Sequence, residues 1–142
     1  MNVICNVKSD SGNTYTPGNC NIGPQEVRVR RIFLRLFGAA TLLATGAALF
    51  WFQSILLWLL LVFVSFSFFI LYLEIRHRFC ILFGFFNLHN FRELGHLDHV
   101  MDHDHMRLDR RRVLEIVVQA LAFSMVFATL IHFLGTLLPP HG

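Results

Sequence analysis

Charged residues are scarce in this sequence, and the scarcity is concentrated in two places. Only 15% of the 142 residues are Asp, Glu, Lys or Arg, whereas a soluble domain typically has about 25%. No charged residue occurs between Arg35 and Glu74, and none follows Glu115. Each uncharged stretch is long enough for at least one helix of roughly 20 residues across a hydrocarbon core. The deficit excludes an ordinary soluble domain and indicates a membrane protein.

Other motifs that are missing from the sequence reduce the number of function classes to consider. The sequence has no C-x-x-C pair, no glycine-rich phosphate loop and no recognisable nucleophile with a base, so neither a redox motif nor an enzyme is indicated. The N-terminal segment also lacks the charged start, apolar middle and small-residue cleavage site of a cleaved signal peptide. We therefore expect the first apolar stretch to act as the targeting signal. The net charge of +3 comes from arginines that flank apolar runs, where lipid and topology explain them before nucleic acid does.

The apolar stretches predict an all-α integral membrane protein with three transmembrane helices, a hairpin plus one. Gly23 and Pro24 are typical of a helix N-cap and a first helical residue. The following uncharged stretch is too long for one span and fits two, with a turn near Ser54. The predicted segments are a polar tail over 1–23, the hairpin over 24–74, a His/Asp-rich interfacial loop over 75–110, the third helix over 111–138 and an outer tail over 139–142.

Small residues recur at a spacing of four in the first predicted helix, at Ala40, Ala44 and Ala48. Such residues allow two helix backbones to approach closely in a membrane. The alternative is that they are only apolar filler. The apolar segment 79–86 is too short to span, so we expect it at the interface or between helices.

Arginines accumulate at the same end of all three predicted helices. They precede the first helix core, follow the second helix and precede the third, at Arg28, Arg30, Arg31, Arg35, Arg76, Arg78, Arg110, Arg111 and Arg112. Cytoplasmic flanks of transmembrane helices are enriched in Lys and Arg. We therefore predict a cytoplasmic N-terminus and loop and an outer C-terminus. All three cysteines would then face a reducing compartment, so no stable disulfide is expected.

The loop carries the sharpest chemical pattern. We predict that His96, His99 and His103 share one face of a helix, and a spacing of four lets His99 and His103 bind one metal ion. Asp102 lies beside them as a further ligand or a partner of an imidazole. Such a set would suit a divalent transition metal such as zinc, nickel, copper or iron. The alternative is a solvated amphipathic linker helix.

His132 is the one strongly polar side chain far along the third predicted helix; it lies roughly 30 Å from Arg112 along the helix, near the outer interface. An ionisable group within a membrane is a functional hypothesis by default. Its imidazole could bind the metal of a haem or chlorin, and Ala128, one turn earlier, would leave room for a flat ring. The alternative is a histidine that only reaches lipid headgroups.

Two resemblances to known families add to these expectations. The first 85 or so residues, with Asn21-Ile22-Gly23, the arginines near 30 and Phe79-Cys80, resemble a two-helix domain of unknown function. That domain occurs in bacterial inner membranes and is sometimes attached to rhodanese modules. The resemblance implies a multi-pass protein of a bacterial cytoplasmic or intracytoplasmic membrane.

Residues 108–138, with Leu108-Asp109 and the segment from Ala128 through His132 to Phe133, resemble the α antenna polypeptide of purple-bacterial light-harvesting complexes. The resemblance implies that His132 ligates bacteriochlorophyll. Arg110 replaces the proline usual after the aspartate, the gap from Asp109 to His132 is about one helical turn longer, and no tryptophan follows the histidine.

Together these observations predict a non-catalytic accessory or structural subunit of a bacterial membrane complex in contact with lipid and other transmembrane subunits, and the antenna resemblance implies that the complex is photosynthetic. The alternative is an oligomeric protein that handles metal ions or small solutes through the His/Asp loop.

Overall fold

The computed structural model describes residues 18–50, 54–86, 88–89, 98–99 and 102–137. Within these residues the chain is mainly helical; the exceptions are the segment 18–23 before the first helix, single residues and a short turn between helices, and two strands of two residues each. The elements are α1 (Pro24–Phe50), α2 (Ile55–His77), α3 (Ile81–Phe86), β1 (Leu88–His89), β2 (Asp98–His99) and α4 (His103–Leu137). The strands pair antiparallel, with Leu88 opposite His99.

Three of the helices, α1, α2 and α4, are long and apolar enough to cross a membrane. This confirms the number of candidate spans predicted from the charge deficit. The predicted start of the first helix is also confirmed, because α1 begins at Pro24 and the Gly23 carbonyl accepts a hydrogen bond from the Val27 N–H at 3.2 Å.

The boundary between the first two helices lies where the sequence predicts it. The Ser54 hydroxyl caps α2 by accepting a hydrogen bond from the Leu57 N–H at 3.3 Å. A side-chain acceptor at this position satisfies one of the free N–H groups of the first turn. The residues between α1 and Ser54 lie outside the described part of the chain.

The third long helix starts earlier than the predicted residue 111. It begins at His103 and has 35 residues. Asp102 explains the earlier start, because its carbonyl accepts from the Met106 N–H at 3.1 Å and its carboxylate accepts from the Asp104 N–H at 2.9 Å. The polar composition of this segment suggested a loop, but it supplies an N-terminal cap and the acidic first turn that a helix dipole favours.

The helix α2 packs against both α1 and α4. One face of α4 is buried over most of its length, at Ile116, Ala120, Ser124, Ala128 and Gly135. The small residues on this face allow close helix packing, so the buried small-residue stripe lies on α4. On α1 the close approach occurs at Gly38, where an added Cβ would lie 3.4 Å from the Phe68 ring.

The outward faces of the long helices are apolar and exposed. Leu42, Leu43 and Leu56 have about three quarters of their surface exposed, at 75%, 76% and 74%. Exposed apolar patches of this extent are rare on soluble monomers. The surface is therefore that of a chain surrounded by lipid or by other apolar helices.

Candidate functional site

Polar contacts concentrate at one end of the bundle, where α1 begins, α2 ends and α4 begins. We call this the basic end. Its foundation is a sharp turn after α2, where Arg78 adopts a left-handed conformation with φ of 50°. The Phe79 N–H then donates to the Glu74 carbonyl at 3.0 Å, which satisfies a carbonyl that would be free at the helix end.

Asn21 clamps the preceding segment onto this turn. Its side-chain amide donates to the Cys80 carbonyl at 3.0 Å and its carbonyl oxygen accepts from the Cys80 N–H at 2.6 Å. The Asn21 backbone N–H also donates to the Arg78 carbonyl at 3.2 Å. Asn21 and Cys80 are almost fully buried, so these bonds replace water for groups that could not otherwise be satisfied.

A paired charge network lies beside this clamp. The Arg30 guanidinium donates to the Glu74 carboxylate at 3.1 Å and to the Glu26 carboxylate at 2.8 Å. The second oxygen of Glu74 accepts from the Ile81 N–H at 2.8 Å. Their side chains are 13%, 8% and 15% exposed for Arg30, Glu74 and Glu26. The network joins α1, α2 and α3, and its two carboxylates share the one guanidinium.

Cys80 is the free cysteine among the described residues, and it is buried. Burial raises the pKa of its thiol, with the Glu74 charge acting in the same direction and the Arg30 charge opposing it. A thiol kept protonated is a poor nucleophile and a poor metal ligand. The basic end therefore presents no activated cysteine.

The helix α3 fits tightly between this turn and α4. A Cβ at Gly84 would lie 2.7 Å from the Phe79 ring and 2.8 Å from a Val113 methyl group, so only glycine allows this approach. The Arg30 guanidinium lies 5.7 Å from the centre of the Phe83 ring. The predicted placement of this short segment between helices agrees with these contacts.

The start of α4 is tied to the same end. The Gly18 N–H donates to the Asp109 carboxylate at 2.7 Å, and Asp109 is fully buried. The Arg112 guanidinium lies 2.9 Å from a Glu115 oxygen and 3.0 Å from Nδ1 of His77. The segment before α1 and the last turn of α2 are thus both joined to α4.

The structure does not bring the predicted metal ligands together on one helix. His99 lies on strand β2, whereas His103 is the first residue of α4, so the predicted shared helical face is wrong. His96 lies outside the described residues. The Asp102 carboxylate is engaged at the start of α4, where it also lies 3.7 Å from His105 Nε2. Within the described part of the chain no group of three metal-ligating side chains is present.

The predicted pigment residues lie on or near the buried face of α4. Ala128 is fully buried, and room for a flat ring beside it stays a prediction. His132 is half-buried at the edge of this face. Pigment or haem ligation by His132 stays a prediction.

The expectation that no disulfide forms is wrong for Cys20. This residue is disulfide-bonded, and its partner lies outside the described residues. Disulfides persist mainly in oxidising compartments, so this bond bears on the orientation of the chain.

Asn21, Asp109 and Gly84 fasten the basic end, and sequence reasoning used these residues only in the two resemblances, without predicting this structural role. Their partners are distant in sequence, as far as 91 residues for Asp109. The available signal was chemical, namely a glycine within an aromatic segment and an aspartate within an arginine cluster.

In comparisons with known proteins, no family model, curated protein or solved structure matches this chain.

Proposed function

We propose that this chain is a three-span integral membrane protein that serves as a non-catalytic accessory subunit of a larger membrane complex. The observation that carries the proposal is the exposed amide of Gln119 on α4, on a helix face that it shares with Ala122, Val126 and Thr129. All four are exposed, and their spacing places them on one side of the helix. This side lies opposite the buried face of α4.

Gln119 is the informative member of this face. It follows Arg112 by seven residues, which is about 10 Å along the helix, within the segment long and apolar enough to span a membrane. Among the described residues its amide has no hydrogen-bond partner. An amide facing lipid is costly, and in membranes such groups typically bond to a neighbouring helix beside small residues. A second transmembrane chain supplies that partner.

The contacts among side chains at the basic end support a non-catalytic role. Its buried charges are paired with each other, and its buried amide bonds to backbone groups of the same chain. The pKa of its free thiol is raised by burial. These side chains join structural elements, and an enzyme site would instead direct some of them towards a substrate.

The proposed orientation places the basic end in the cytoplasm and the C-terminal end of α4 outside. The support is the arginine enrichment at that end. The disulfide of Cys20 argues against this orientation, because the cytoplasm keeps thiols reduced. The arginines carry more weight, since they occur on all three long helices, and accessibility labelling at the two ends of α4 decides between the two orientations.

The test is purification of the tagged full chain from its own membranes in mild detergent, followed by mass spectrometry. We expect a stoichiometric partner, and Gln119→Leu should weaken its retention about tenfold, as expected for a lost interhelical hydrogen bond. The matched control is Ser67→Ala, because that exposed hydroxyl already bonds to the Phe63 carbonyl of its own helix. A lone chain, or equal retention by Gln119→Leu, would overturn the subunit proposal.

A further inference from the structure

The outer side of α1 carries three arginines that the bundle does not use. Arg28, Arg31 and Arg35 are exposed, and spacings of three and four residues place them on one face of the helix. We call this set the arginine row. In the described part of the chain, the arginines that pair with carboxylates are Arg30, Arg111 and Arg112, so no ion pair there offsets the charge of the row.

The depth of the row follows from the contacts between α1 and α2. Arg30 contacts Glu74 and Gly38 lies beside Phe68, so Arg35 is level with residues 69–73 of α2. That stretch has no charged residue. Arg35 therefore lies deeper in the membrane than the charged residues of α2. At such a depth an arginine extends its guanidinium towards the headgroups.

An apolar strip continues directly from the row along the same face. It consists of Ala39, Leu42 and Leu43, all exposed, with the two leucines 75% and 76% exposed. From Arg35 to Leu43 the helix rises about 12 Å. Positive charge followed by an exposed apolar strip matches the two parts of a phospholipid, a phosphate head and an acyl chain.

We propose that this face of α1 binds an anionic phospholipid, whose phosphate lies between Arg31 and Arg35 and whose acyl chain lies along Ala39, Leu42 and Leu43. Side chains four residues apart are close enough to share one phosphate, and guanidinium groups bind phosphate oxygens in pairs. A lipid of net negative charge fits best, because three unpaired cations repel a cationic headgroup such as choline. The inference rests on the membrane-spanning arrangement proposed above and does not require the partner subunit.

The experiment is native mass spectrometry of the purified full chain in detergent with an equimolar mixture of phosphatidylglycerol and phosphatidylcholine of identical acyl chains. We expect preferential retention of phosphatidylglycerol. The double substitution Arg31→Gln and Arg35→Gln should reduce this preference about thirtyfold, because each arginine near an anionic headgroup contributes about fivefold in affinity. Inorganic phosphate added to the same buffer should not displace the lipid, since it lacks the acyl chain.

The matched control is the double substitution Arg107→Gln and Arg110→Gln, which removes the same charge from exposed positions on α4. It should keep the preference. Equal loss in both double variants would reveal diffuse charge attraction and overturn the site, as would unchanged preference or displacement by phosphate. Arg31→Lys with Arg35→Lys should retain part of the preference, which excludes misfolding as the cause of loss. Carbonate extraction of membranes reports insertion separately, so failure of the membrane proposal is distinguishable.

Discussion

Asn21 bonds to both backbone groups of Cys80, yet it comes from a polar stretch with no periodic pattern. We expect Asn21→Ala to lower the free energy of unfolding by about 1–3 kcal/mol, because the buried Cys80 N–H would lose its acceptor. Thermal unfolding of the purified protein in detergent measures the effect. Gln25→Ala is the control, since Gln25 is an exposed amide in the first turn of α1. Equal midpoints for the two variants would contradict the importance of the clamp.

At the residue scale, the sequence predicts charge but not pairing. The arginines near residue 30 were expected at the membrane surface, and Arg28, Arg31 and Arg35 are exposed. Arg30 instead turns inward to Glu74, which lies 44 residues away. Glu26, four residues earlier, is a local signal for Arg30, but the pairing with Glu74 depends on which face of α1 meets α2.

At the element scale, Gly84 decides how closely α3 approaches α4. We expect Gly84→Ala to destabilise the protein by about 1–3 kcal/mol, because the new methyl group would meet the Phe79 ring at 2.7 Å. The same unfolding measurement applies. The control is Gly46→Ala, since nothing lies within 4 Å of a Cβ there and alanine favours the helix. A tolerated Gly84→Ala would mean that α3 is not held against α4.

The long helices were predictable because hydrophobic length and charge gaps are local properties of the sequence. The start of α1 at Pro24 and the Ser54 cap of α2 also depend on nearby residues. The start of α4 was missed, because a polar His/Asp stretch was interpreted as a loop although Asp102 caps the helix. The buried small-residue face of α4 was missed as well, because only helix packing selects it over the alanines of α1.

At the scale of the whole molecule, orientation is the open question that one experiment answers. In a cysteine-free background we expect Thr136→Cys to react with an impermeant maleimide on intact spheroplasts. We expect Asp104→Cys to react only after permeabilisation, because the proposed orientation places the basic end in the cytoplasm. Both positions are exposed at opposite ends of α4. The reverse pattern would overturn the orientation and agree with the Cys20 disulfide.

The helix α4 has a mechanical consequence. It is continuous over 35 residues, about 50 Å in length, and it contains no proline and no glycine before Gly135. Without such breaks a helix behaves as a stiff rod. A force that twists or tilts its first turns therefore moves the far end as well. A molecule that binds at the His103 end and tilts the helix would therefore also move the face that carries Gln119.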